Sequence, residues 1–374
     1  MKSSKGSAKP CVAIVQPLVP HYREDFFAGL NSAIPIDLYG YESEFQLVKR
    51  GLAPACTVNV KPLRALQIGS FVAYDILPLF SRQYSVLVLM GSVRQPSTWL
   101  LLVLKRIIRK KVILWGHGIS INRYVSHQKG MPLIYKLLYG LADAAWFYTE
   151  NERAIWSRTL PRLKSVALSN TVSGVERILA VDLSHRRDAL RAKYGITTTK
   201  NLIFCARFSG THRRPDLLLK TMKTLDPKHF GLIIIGNGSA KPDFSVCPNV
   251  YDFGAVYDGT IKDELFAVAD IYFQPGWLGL SAVEAMAYGK PVFTFKRSAS
   301  VRHGVEYGYV ESGVNGYIAH DEVDMVQKLM ALSDDEIASL GANARNYAAN
   351  NLTMNHMIDT AVGLLRQMFD RCKA

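Results

Sequence analysis

The sequence has no apolar run approaching the ~18 to 20 residues that a spanning helix needs, so any membrane association has to be peripheral. Cysteine is scarce and unpaired in pattern. Cys11, Cys56, Cys205, Cys247 and Cys372 are odd in number, widely spread, and show neither C-x-x-C spacing nor a nearby histidine pattern. That argues for a reduced, cytosolic chain without structural zinc. The N-terminal MKSSKGSAKP is basic, but the apolar stretch after it is broken at Gln16, Pro17 and Pro20, short for a secretion signal. No Asp-x-Asp, internal repeat or low-complexity segment occurs, so no metal site is expected.

What remains is a globular chain of 374 residues, 49% apolar and 20% charged, with material for two domains. Its net charge of +14 is unevenly placed. Residues 1–175 hold 22 basic and 9 acidic side chains, and residues 176–374 hold 23 and 22. The basic character belongs to one half, which points to an anionic partner there, either nucleic acid or an anionic membrane surface.

Short β-branched runs alternate with helix-patterned stretches throughout, the pattern of a parallel sheet wrapped by helices. CVAIVQP, IDLYGY, YSVLVLM, KVILWGHG, AAWFYT and SVALSNTV form one α/β set. After a polar stretch the pattern restarts with NLIFCARFSG, GLIIIGNGS, NVYDFGAV, ADIYFQPG and KPVFTF. The expected fold class is α/β, two doubly wound, Rossmann-like parallel-sheet domains facing a cleft. Residues 1–172 form the first, 173–350 the second with 173–200 as linker, and 351–374 a C-terminal helix that could pack back on the first. Ligands of such sheets bind outside the strands' carboxyl ends, so function is sought in the strand-to-helix loops.

Three constellations stand in those loops. In CARFSGTHRRPDLL, Arg207 leaves a strand end, and Arg213 and Arg214 precede a helix opening at Pro215. Such guanidiniums can clamp a diphosphate; a solvated basic loop is the alternative. IIIGNGSAK carries Gly236 and Gly238 but lacks the third glycine of the dinucleotide fingerprint, so a tight turn is the better reading. In FQPGWLGLSAVEAMAYGKPVFTF the strand ends at Pro275, the Gly276–Gly279 turn follows, and a helix starts near Ser281. Amides of Gly279, Leu280 and Ser281 at a helix start can bind an anion. Glu284 could accept from vicinal hydroxyls of a ribose, or simply complement the helix dipole.

In order and spacing, Arg207, Arg213, G-N-G, P-G-x-x-G-L-S-x-x-E-A-M-A-Y-G-K-P-V and E-S-G-V-N-G-Y-I resemble the C-terminal half of nucleotide-sugar-dependent glycosyltransferases of the GT-B fold, most like glycosyltransferase family four. The resemblance covers residues 201–318, with a looser fit through VPHYREDFF and VILWGHG. It implies that Arg207 and Arg213 hold the donor diphosphate and that Glu284, the second glutamate of the family's Glu, seven residues, Glu motif, binds the ribose. The first glutamate of that motif, which faces the donor sugar, falls on Gly276 here. The family's glycine-rich loop after the first strand is also absent, its place taken by Leu18 to Arg23. The resemblance further implies that His117 faces the donor sugar from the acceptor side, where a histidine titrating near working pH could donate to a hydroxyl or act as base. His21, Tyr22, Arg23 and Arg94 are acceptor-side candidates, and Tyr257 a base-stacking candidate.

The segment PSTWLLLVLKRIIRKK, laid on a helix with Ser97 as N-cap, puts Lys105, Arg106, Arg109 and Lys110 on one face and Leu100, Val103, Leu104, Ile107 and Ile108 on the other. The first face is either solvated or a cationic patch on anionic lipid. The resulting expectation is a glycosyltransferase of hexosyltransferase type, moving sugar from a UDP- or GDP-sugar to a lipid-linked or glycan acceptor at the inner membrane face. It would serve bacterial-type surface polysaccharide or glycolipid synthesis, with retention of configuration and with neither metal nor other cofactor. A nucleotide-sugar epimerase of the same fold and a non-catalytic basic membrane or nucleic-acid binding protein are the alternatives. Nucleic acid is disfavoured because basic residues are not interleaved with aromatics on a strand face.

Overall fold

The structure, a computed structural model, describes residues 11–42 and 57–370. The basic MKSSKGSAKP, Cys56 and Cys372 lie outside the described residues. The chain forms two compact units, one running to Ser173 and resuming at Met354, the other spanning Gly174–Thr353.

The first unit is built on β1 (Val12–Gln16), β2 (Ile36–Gly40) and β3 (Val60–Pro62), a hairpin of β4 (Ala65–Ile68) and β5 (Phe71–Tyr74), then β6 (Val86–Met90), β7 (Lys111–Trp115), β8 (Ala144–Phe147) and β9 (Lys164–Ala167). Seven of these form one parallel sheet in the order β3-β2-β1-β6-β7-β8-β9, while β4 and β5 pair antiparallel by themselves. A sheet covered on both faces needs strands apolar on both sides. Val12, Ala13, Ile14 and Val15 are accordingly all buried, split between two cores. The helix Met354–Asp370 completes one of them, where Met357, Ala361, Leu364 and Leu365 join Phe26, Leu30, Trp115 and Trp146.

The second unit carries β10 (Lys200–Cys205), β11 (Phe230–Ile235), β12 (Val250–Asp252), β13 (Ile271–Phe273), β14 (Val292–Phe295) and β15 (Gly316–Ala319), all parallel in the order β12-β11-β10-β13-β14-β15. Among its helices, those that follow Asp258 and Ser333 start on side-chain caps: Asp258 accepts from the amides of Thr260 and Ile261, and Ser333 forms a capping box with Glu336. In each sheet the strand order reverses once, between β1 and β6 and between β10 and β13. The crevice outside the carboxyl ends at such a switch point is where open α/β sheets place ligands.

The helix expected over PSTWLLLVLKRIIRKK is shorter than read. It spans Pro96–Leu104, with Gln95 at the N-cap and Pro96 at the first position. Ser97 does not cap it. Its hydroxyl donates to the Tyr74 carbonyl at 2.6 Å and accepts from the Tyr74 amide at 2.8 Å, tying the β4–β5 hairpin to the helix.

Candidate functional site

At the switch point of the second unit, the loop after β10 presents Arg207, exposed, and a single 3-10 turn, Thr211–Arg213, presents Arg213. Arg213 is half-buried, its Nε has no hydrogen-bond partner among the described residues, and burial, joined by the charge of Arg207, pulls its pKa down against an opposing effect of Tyr272. Two cations near each other with a buried donor unspent form a site that an anion would stabilise. Arg214 leaves this cluster. It sits at φ 54° and its guanidinium is bidentate to Asp216, with Nε–Oδ1 at 2.8 Å and Nη2–Oδ2 at 2.7 Å.

The loop after β13 packs directly on this turn. The Gly276 amide donates to the Arg213 carbonyl at 3.1 Å. A Cβ on Gly276 would lie 2.6 Å from the His212 carbonyl oxygen and 2.9 Å from Arg214 Cγ. The position where the resembled family has its first glutamate is therefore closed to any side chain. Trp277 follows at φ 49°, with its amide bonded to the Arg302 carbonyl and its ring edge-on to His212. None of the amides of Gly279, Leu280 and Ser281 donates to a backbone carbonyl among the described residues. The helix they open is short, Ser281–Ala287.

Several residues that fix this loop carry no motif. His303 is buried; its Nδ1 accepts from the Leu278 amide at 3.1 Å and its Nε2 donates to the Phe295 carbonyl at 2.8 Å. Burial pushes its pKa down to about 3, so the ring is neutral and this tautomer is fixed. Gln274 donates to the Gly276 carbonyl at 2.8 Å, and Tyr272 donates to Gln274 while lying 2.7 Å from the Ser281 hydroxyl. Glu284 pairs with Lys262 at 2.7 Å. Burial drags the Lys262 ammonium down, but Glu284, the Cys205 thiol and the hydrogen bond outweigh it, and its pKa is raised. Cys205 itself is pushed up to about 12 by burial and is inert. Gly236 and Gly238 stand at φ 152° and 151°, with the Ala206 and Phe208 carbonyls where side chains would be. They let the G-N-G turn lie against the arginine loop, which is the tight-turn reading. Tyr257 is 94% exposed, ahead of the Asp258 cap.

In the first unit a cavity of about 780 Å³ opens beyond the ends of β6 and β7, lined among others by Arg94, His117, Asn122, Arg123, His127 and Tyr148. His117 packs on Tyr148 with ring centroids 4.5 Å apart, and its Nδ1 is buried with no partner among the described residues. Burial and the charge of Arg23 push its pKa down to about 4. The expectation of a histidine titrating near working pH is thereby corrected: the ring is neutral, able to accept or donate one hydrogen bond, and a weak base. Of its flanking glycines, Gly118 is needed for packing, since at φ 62° a Cβ would overlap the Trp156 indole.

The acceptor-side candidates separate. Arg94 is exposed and lines the cavity. His21 is exposed and Tyr22 half-buried, edge-on to each other, and neither lines it. Arg23 is not a surface contact but a buried bolt: it donates to Asn170 Oδ1, approaches Met357 Sδ at 3.4 Å, and lies over the Tyr22 and Tyr148 rings. His127, whose Nδ1 accepts from the Ser120 amide at 3.1 Å, and Tyr148 escaped the sequence reading because a lone histidine or tyrosine carries no spacing signal.

The cationic face expected of Lys105, Arg106, Arg109 and Lys110 does not exist as one helical face. The helix stops at Leu104 and Arg109 takes φ 53°. Lys110 turns inward to donate to the Ser81 carbonyl at 2.6 Å and to the Tyr84 carbonyl. Lys105 donates to the Leu141 carbonyl at 2.6 Å and pairs with Asp143 at 2.9 Å. Lys110 thereby supplies the donor that the buried Tyr84 carbonyl needs. Arg106 and Arg109 remain exposed.

Residues 199–335 match the family described as glycosyl transferases group 1. No curated protein matches the chain. Among solved structures, HepE of Anabaena in complex with UDP is 14% identical and superposes with a TM-score of 0.66 over 96% of this chain and 100% of that one. A glycosyltransferase from Rickettsia africae is 14% identical at a TM-score of 0.64, covering 96% and 99%. Trehalose-6-phosphate synthase, described with glycosyl transfer with retention, is 12% identical at 0.62, covering 96% and 99%. Likeness at such identities establishes the fold: two doubly wound parallel-sheet domains of the GT-B class. The second unit carries a group 1 glycosyltransferase domain.

Proposed function

We propose, on the premise of that domain and fold, that the chain transfers a sugar from a UDP-sugar to a hydroxyl of a membrane-associated acceptor, a lipid-linked or glycan molecule of surface polysaccharide or glycolipid synthesis, with retention of configuration. The observation that carries the reading is Arg207 near the half-buried Arg213, whose Nε is unspent, on the turn against which the loop bearing the amides of Gly279, Leu280 and Ser281 packs. In the transfer the acceptor oxygen bonds to the anomeric carbon, the bond from that carbon to the β-phosphate oxygen breaks, the acceptor hydroxyl's proton passes to that departing phosphate oxygen, and the diphosphate carries developing negative charge as it leaves. Arg207, Arg213 and those amides neutralise it, which is the kind of electrostatic stabilisation worth most in a transition state.

Glu284 accepts the ribose hydroxyls, with Lys262 holding its carboxylate in place. HepE has been seen with UDP-glucose, which supports a uridine donor here. On the acceptor side the neutral His117 offers a single hydrogen bond to a sugar hydroxyl, and Arg94 and Arg123 favour an acceptor carrying phosphate or carboxylate. An epimerase would have no use for that cavity. The experiment is incubation of the purified chain with radiolabelled UDP-sugars and a membrane lipid extract. Label moving into the organic phase is expected; release of an isomerised nucleotide sugar, or no turnover with any UDP-sugar alongside no binding of UDP, would refute the reading.

A further inference from the structure

Residues 76–142 form a stretch of 67 residues without one Asp or Glu, carrying ten Lys and Arg. The same region exposes apolar side chains. Of eighteen large hydrophobic residues exposed among the described ones, twelve fall between Leu66 and Leu141. On the helix Leu133–Gly140, Leu133 (71% exposed), Leu137 (52%) and Leu141 just beyond it repeat at four-residue spacing on one face, while Leu138 and Tyr139 face the core. On the helix Pro96–Leu104 and the turn after it, Leu100, Val103 (64%) and Ile107 (77%) are exposed at spacings of three and four residues. The two ridges are joined where Lys105 from the first donates to the Leu141 carbonyl at the end of the second. Arg106, Arg109 and Lys136 are exposed among these residues. Exposed apolar side chains clustered in this way mark an interaction site, and their cationic surround, in which Asp143 beside Leu141 is already paired with Lys105, selects among occupants.

We infer that this face of the first unit docks onto an anionic lipid bilayer, its leucine and isoleucine ridges entering the headgroup boundary and Arg106, Arg109 and Lys136 meeting lipid phosphates. The surface differs from a purely cationic patch: apolar insertion supplies depth and the arginines supply lipid preference. Ile134, 47% exposed, belongs both to this region and to the lining of the cavity beside His117. If the transfer reading holds, on which this one consequence rests, a lipid-linked acceptor would reach the cavity without leaving the membrane.

The test is flotation of the full chain with phosphatidylcholine vesicles, with and without phosphatidylglycerol. The wild type is expected to float with the anionic vesicles and to remain largely behind with neutral ones. The variant Val103→Ser/Ile107→Ser/Leu137→Ser should lose at least about tenfold in partition, and Arg106→Glu/Arg109→Glu should lose the preference for phosphatidylglycerol. All five positions are exposed, so unchanged melting curves are expected and guard against unfolding. Wild type that fails to float on anionic vesicles, or a triple variant that partitions like wild type, overturns the inference. So does a stable dimer in solution that the triple variant dissociates, since the face would then cover a second copy. None of these readouts depends on sugar transfer.

Discussion

Lys262 Nζ and Glu284 Oε1 lie 2.7 Å apart, joining the helix Gly259–Val268 to the helix Ser281–Ala287. The ammonium holds one carboxylate oxygen in place, and no hydrogen bond to the other is found among the described residues, which leaves it to a ligand. Glu284→Gln should therefore raise the dissociation constant of UDP about tenfold, roughly 1.4 kcal/mol, by isothermal titration. Lys262→Met should weaken it as well, and the double variant should cost less than the two losses added, because the pair acts as a unit. Additive losses would separate Lys262 from the ribose role.

Arg213→Ala should lower the transfer rate by ~10² to 10³, the usual effect of removing one donor from a charged transition state, with little change in melting temperature because its Nε holds nothing. Arg207→Ala should behave alike. Steady-state kinetics with circular dichroism of each variant decides the matter; activity undiminished in both would remove the phosphate clamp.

Gly276→Glu will not reinstate the missing carboxylate of the resembled family. With the His212 oxygen 2.6 Å from the Cβ site, the loop has to shift, and overpacking of this kind costs about 1 to 3 kcal/mol. A lowered melting temperature with reduced UDP binding is expected; an unchanged one would mean that the loop yields freely.

The two neutral histidines fix the sign of the pH response. His117 and His303 have pKa values pushed down to about 4 and about 3, while an unfolded chain protonates them near 6.5. Above about 6.5 neither state holds these protons and stability is flat. Below it the unfolded chain takes up more protons, so stability falls as pH drops toward 4 and then 3. Chemical denaturation from pH 8 to 4.5 should show this loss, and it should be smaller in His117→Asn. For the same reason the pH profile of transfer should carry no inflection near 6.5 that disappears in that variant; finding one would restore His117 as a titrating base.

The parallel strands were legible because burial on both faces leaves unbroken apolar runs such as Phe230–Ile235, with no polar alternation to confuse them. Arg213 was legible in the strand-turn-helix segment after β10, and Gly276 and Glu284 in the one after β13, because within each segment the spacing is local. Lys262 and His303 were not: each acts on a residue more than twenty positions away, and a lysine or histidine on its own has no pattern. The true end of the helix at Leu104 was hidden for a related reason. Lysine and arginine continue a helix well, so nothing in the composition marks the stop after which Lys110 turns to the Ser81 and Tyr84 carbonyls and Lys105 to that of Leu141.

Because the helix Met354–Asp370 fills the core beside Phe26 and Trp146, the first unit is assembled from the two extremities of the chain. Leu365→Ala, a fully buried site there, should cost about 2 to 5 kcal/mol, read by denaturant unfolding of the first unit's tryptophans. On the ribosome the consequence is an inverted timetable. The unit encoded second emerges as one uninterrupted stretch and can fold while synthesis continues, whereas the unit encoded first waits, with part of its interior uncovered, for its final helix to be translated.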